Sequence, residues 1–142
     1  MSDSLNITES DFQDYITHGA GLVTPRSLLA VFSELPEIRE QIADAELDDF
    51  PGLREQLTFL ADVLEAFGPG NELDLPYSAA AEACFGITYF TREVDLVPDS
   101  LGKVGYTDDA AIVAAVLQRN SVAFSRIAHK HGKSWDTLMA NA

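Results

Sequence analysis

Between Tyr89 and Ala110 the chain reads YFTREVDLVPDSLGKVGYTDDA. This gathers Asp95, Asp99, Asp108 and Asp109 around Pro98, Gly102, Gly105 and Tyr106. Carboxylates so concentrated can do two kinds of work. They can accept backbone N–H groups: Asp95 in the turn around Pro98, Asp99 at the segment after it, and Asp108 and Asp109 in the first turn of a following helix. There the macrodipole favours negative charge, and each cap contributes about 0.5–2 kcal/mol. Alternatively, two or more of the four can converge on Mg²⁺ or Ca²⁺, which prefer oxygen ligands. Mg²⁺ commonly takes only one or two protein carboxylates plus water. The spacing is not that of an EF-hand loop, which requires acids at fixed offsets and a closing Glu. A cation held here could be structural or could support hydrolysis. Both readings stay open from the residues alone, and Pro98, Gly102, Gly105 and Tyr106 are read as turn-forming.

Other reactive side chains offer less. His129 and His131 stand two apart, so on a helix they point to different faces and do not share one ion. With Lys130 they suit a helix C-terminus, as does His18 before Gly19. Arg119, Arg126 and Lys130 fall on one face if a single helix carries them. They are too few for a nucleic-acid footprint, but they suit an acidic patch on a second copy of the chain. Cys84 lies among small apolar residues and reads as an inert core thiol. No nucleophile elbow, zinc-protease helix or phosphate loop is present in the sequence. No catalytic residue is assigned.

The elements that must position these groups read as helices throughout. Ser10 to Gln13 has the form of a capping box, and Gly19 offers a stop. Thr24-Pro25 starts a second helix with Leu28, Leu29, Phe32 and Leu35 as its apolar stripe, and Pro36 interrupts and restarts it. Asp48 to Pro51 signals another start. Leu53, Leu57, Leu60, Leu64 and Phe67 then alternate by four and three up to Gly68-Pro69-Gly70. Residues 71–75 read as a loop. Pro76 opens a helix to about Arg92 whose alanines, with Cys84 and Gly86, let neighbours approach closely; it is apolar nearly all round and expected at the centre. Thr107 reads as the N-cap of one long helix from Asp108 to about Lys130, with Ile112, Val113, Val116, Phe124 and Ile127 inward. Gly132 ends it, and Ser134 to Ala140 docks back through Trp135, Leu138 and Met139. The expectation is an all-α, single-domain bundle of about six helices. Its N-terminal helices span 1–75, its core 76–131 and a short C-terminal helix 132–142.

Composition narrows the function classes. The chain has 142 residues, enough to bury roughly 68–70% of its unfolded surface. Its formal net charge is -14, which disfavours direct nucleic-acid binding and anionic membrane surfaces. Residues 1–102 hold 4 basic and 20 acidic side chains, against 5 and 3 over residues 103–142, so the acidity lies in the first two thirds. A basic protein partner fits that layout. The single cysteine and the lack of a basic-then-apolar leader point to a reducing, cytoplasmic setting. No apolar run is long enough to span a membrane; the best, Tyr77 to Phe90, is short and carries Glu82.

The order Asp95-Leu96-Val97-Pro98-Asp99, then Gly105-Tyr106 and Asp108-Asp109-Ala110, resembles the YkvA-like family, a bacterial group of small helical domains of unknown function. Its pattern is roughly D-L-I-P-D, an apolar spacer, G-Y, a variable residue and D-D before a helix. The resemblance covers about Tyr89 to Leu117. The family usually carries a second proline in the spacer, where this chain has Ser100-Leu101-Gly102-Lys103. The resemblance implies a compact helical hairpin around an acidic turn, with no assigned reaction. The leading expectation is therefore a non-enzymatic interaction or regulatory module that binds a basic protein, with no cofactor. The alternatives are a Mg²⁺- or Ca²⁺-binding protein or hydrolase and, behind it, a mimic of nucleic-acid charge.

Overall fold

The computed structural model describes residues 9–67, 75–96 and 102–140, with side chains over 12–67, 75–91 and 109–140. The described residues form eight helices and no strand: α1 (Glu9–Gly21), α2 (Pro25–Ser33), α3 (Leu35–Asp44), α4 (Leu53–Phe67), α5 (Tyr77–Leu96), α6 (Gly102–Arg119), α7 (Ser121–Lys130) and α8 (Trp135–Ala140). The all-α expectation holds, with more helices than the six expected. Gly68-Pro69-Gly70, most of the 71–75 loop, Pro98 and Asp99 lie outside the described residues.

Local chemistry explains most of the boundaries. Thr24 caps α2 reciprocally: its Oγ1 accepts from the Ser27 N–H at 3.1 Å, and the Ser27 Oγ accepts from the Thr24 N–H at 2.8 Å. Pro25 at the first helical position loses no hydrogen bond there. Pro36 has no N–H to continue α2, so the chain breaks at Glu34, whose N–H turns back to Ala30 and Val31 at 3.2 and 3.0 Å. Gly132 takes φ +71 just past α7, a left-handed turn that a side chain would strain.

Several boundaries differ from the sequence expectation. Ser10 lies inside α1, not at its N-cap, and α1 runs through Gly19 to Gly21. Gly19 is there for space: a Cβ on it would overlap the Phe85 ring of α5. α5 continues past Arg92 to Leu96, and α6 already begins at Gly102. Thr107 is therefore an interior helical residue and not an N-cap. The long helix expected over 108–130 is also two helices, broken at Asn120. There the side-chain amide donates to the Val116 carbonyl at 2.9 Å, competing with the backbone that would continue the helix.

One buried cluster runs from Ile16 to Leu138. α5 is central as expected, packing on α1, α2, α3, α4 and α6. α4 is more enclosed than its amphipathic stripe implied, because α3, α5, α6 and α7 surround it and Phe59, Ala61 and Val63 are buried too. Phe59 meets Phe124 edge-on at 5.9 Å and Trp135 at 5.9 Å, which ties α7 and α8 to α4. The Gln56 Nε2 donates to the Leu138 carbonyl at 3.1 Å, satisfying both groups in the interior.

Candidate functional site

The glycines of the acidic motif lie in a helix and not in a turn. Gly102, Gly105 and Tyr106 belong to the opening turns of α6. Asp108 and Asp109 follow them beyond the first turn, so neither caps the helix start. Asp95 sits in the last turn of α5, where the dipole disfavours a carboxylate. The residues between α5 and α6 are few enough to make the two helices an antiparallel hairpin. Asp109 is 1% exposed within that hairpin and is not a free carboxylate. The side chains of Asp95 and Asp108, and the whole of Asp99 and Pro98, lie outside the described residues. Among the described residues, no group of three or more His, Cys, Asp or Glu is arranged to hold a metal ion.

A different polar centre sits on the same hairpin. Glu82 of α5 is 8% exposed, deep enough that an unpaired charge would be costly. Arg119, the last residue of α6, answers it with two bonds: Nε to Oε1 at 2.9 Å and Nη2 to Oε2 at 2.8 Å. Asn120 Nδ2 adds a third at 2.9 Å to Oε1. The other guanidinium donors reach α1: Nη1 to the Gln13 Oε1 at 2.7 Å and its carbonyl at 3.2 Å, and Nη2 to the Thr17 Oγ1 at 2.8 Å. The hydrogen bond to Glu82 raises the guanidinium above its ordinary range against the opposing effect of burial. This arrangement joins α1, α5 and α6 and breaks the helix at residue 120. Arg119 therefore does not share a face with Arg126 and Lys130, which are exposed on α7. The sequence held one signal of it, a lone acid inside an apolar helix, but not the partner.

A second network holds α3 and the C-terminal turn to α4. Asp62, 7% exposed, accepts from Arg39 at 3.0 Å and Lys133 at 2.8 Å, and Arg39 also meets Glu65 at 2.7 Å. Arg54 donates to the carbonyls of Ile42 and Ala45, closing the end of α3. Both arginines of the 34–55 stretch thus turn inward or to backbone.

What that stretch leaves outside is acidic. Glu37, Glu40 and Asp44 are exposed and spaced i, i+3, i+7, one face of α3 opposite its buried Leu35, Ile38 and Ile42. Glu34, Glu46, Asp48, Asp49 and Glu55 are exposed before and after it. Cys84 is buried against Thr88 at 3.9 Å, and burial pushes its thiol above the ordinary value, which makes it unreactive. His129 and His131 are exposed at the end of α7, the position that the dipole reading gave them.

No helix among the described residues is long and apolar enough to cross a membrane. No curated protein and no solved structure matches the chain. The family resemblance drawn from Asp95 to Ala110 is borne out. Residues 79–115, most of the α5–α6 hairpin and about a quarter of the chain, match the model of a family described as a protein of unknown function (DUF1232).

Proposed function

We propose that the chain is a non-enzymatic, cytoplasmic protein-interaction module that docks a cationic protein on the acidic face of α3. The supporting observation is the disposition of charge in residues 34–55. Glu37, Glu40 and Asp44 share one exposed face, while Arg39 and Arg54 are committed to Asp62, Glu65 and the end of α3. A face of one sign steers an oppositely charged partner and rejects anions. The glutamate side chains project from a helix fixed on its other side by buried Leu35, Ile38 and Ile42, so their spacing is held.

The test is charge reversal on a residue set that touches no core group. The E37K/E40K/D44K triple variant should be at least as stable as wild type, because it relieves repulsion among exposed acids, and should lose about tenfold or more in affinity for basic protein ligands. Wild-type affinity should fall steeply as salt is raised. Equal binding by the triple variant would sink this reading. A separate arm addresses cation binding by Asp95, Asp99, Asp108 and Asp109. A Tm rise in millimolar Mg²⁺ or Ca²⁺, abolished by D95N/D108N, would favour a metal-dependent role over a docking one.

A further inference from the structure

The geometry points to the apolar groove between α2, α4 and the start of α5 as the seat of a short amphipathic helix from that cationic partner. This inference rests on the docking function proposed above and names the partner's form. The groove encloses about 420 Å³ and is lined by Leu28, Leu29, Phe32, Leu64, Phe67 and Tyr77. Leu29 is 67% exposed on it beside Phe32, Phe67 and Tyr77, so the apolar surface there is contiguous and not a single scattered side chain. Its wall is set in advance. The Tyr77 hydroxyl donates to the Val23 carbonyl at 2.8 Å, and its ring meets Phe67 edge-on at 6.2 Å. A preformed wall lowers the ordering cost of binding.

Length and charge select the occupant. The α2 wall runs from Pro25 to Phe32, about 10 Å or two helical turns. That length accepts anchors at i, i+3 or i+4, and i+7. Charge differs at the two ends of α2. Arg26 is exposed near its start, whereas exposed Glu34 follows its end and leads into the Glu37, Glu40 and Asp44 face. An occupant with aliphatic or aromatic anchors on one side and Lys or Arg toward the Glu34 end satisfies both surfaces. An acidic helix would meet like charge at Glu34.

A phage-displayed library of peptides about four turns long, selected on the full chain with no counter-selection and then compared on Leu29→Glu, tests this directly. The expected enrichment is peptides with apolar residues at i, i+3 or i+4, and i+7 and a net positive charge. Their synthetic versions should bind Leu29→Glu about tenfold or more weakly than wild type. They should also weaken on E37K/E40K/D44K. Enriched basic peptides without apolar periodicity, indifferent to Leu29→Glu, would overturn the groove while leaving the acidic docking face standing. Enriched peptides indifferent to the triple variant would overturn the docking function itself. A wild-type dimer that Leu29→Glu makes monomeric would assign the groove to a second copy. A Tm loss of more than a few degrees in Leu29→Glu would assign it to cover by the chain's own residues. Either result overturns the proposal.

Discussion

Arg119 ties α6 to two other helices, since its donors reach Glu82, Gln13 and Thr17. Replacing it with methionine keeps the aliphatic stem and leaves Glu82 buried with Asn120 as its remaining partner. Arg119→Met should lower unfolding free energy by about 3 kcal/mol, the low end for a broken buried pair, because the Arg119 side chain keeps 22% of its exposure. Adding Glu82→Leu should recover much of that loss, because the desolvated charge goes with it. Urea denaturation of the single and double variants measures both. Cys84 gives a prediction in pH. Burial raises its thiol, so the folded chain keeps a proton that the unfolded chain releases. The associated stability is fully present below the unfolded thiol value of about 8.5 and is lost as pH rises through the higher folded one. Cys84→Ala should flatten that alkaline decline, and the wild-type thiol should react with disulfide reagents only on unfolding.

Elements dock through close approaches that the chain made room for. α1 lies against α5 at Gly19, where a methyl group would overlap the Phe85 ring already held edge-on by Tyr15 at 5.8 Å. Alanine normally gains up to about 1 kcal/mol over glycine in a helix. Overpacking costs about 1–3 kcal/mol, so the packing effect wins and Gly19→Ala should destabilise by about 1 kcal/mol. Gly21 has open space around its Cβ position, and Gly21→Ala should be neutral or slightly stabilising. Thermal unfolding of the pair separates packing from propensity. Much of this level was legible in the chain. Thr24-Pro25, Pro36, Pro76 and Gly132 mark their boundaries because each acts on backbone within a few residues of itself. The start of α6 was not legible. Gly102 and Gly105 are poor helix formers, and Thr107 looks like a better cap than anything before it.

At the scale of the molecule, the dominant quantity is the net charge of -14. The ion pairs of Asp62 and Glu82 are largely buried and weakly screened, while the exposed acids of residues 34–55 repel one another through solvent. Raising NaCl from low to physiological strength should therefore stabilise the chain, by about 3–6 °C in Tm if screening recovers about 1–2 kcal/mol. The E37K/E40K/D44K variant should show a smaller rise. A Tm that falls with salt would mean that exposed pairs such as Arg39–Glu65 outweigh the repulsion.

The sequence by itself determined the helical class, the central place of α5, the inward residues of α6 and α7, and the acidity of the first two thirds. These follow from periodicity, composition and local caps, which act over a few residues. Only the tertiary structure decided which charges are spent and which remain available. Arg119 and Glu82 lie 37 positions apart, and Lys133 and Asp62 71 apart. No local rule pairs residues at such separations; the packing of α6 on α5 and of α7 on α4 does. The groove beside Leu29 has the same origin. Its α2 residues read as part of one core stripe, and only the positions of α4 and α5 leave Leu29 of that stripe exposed.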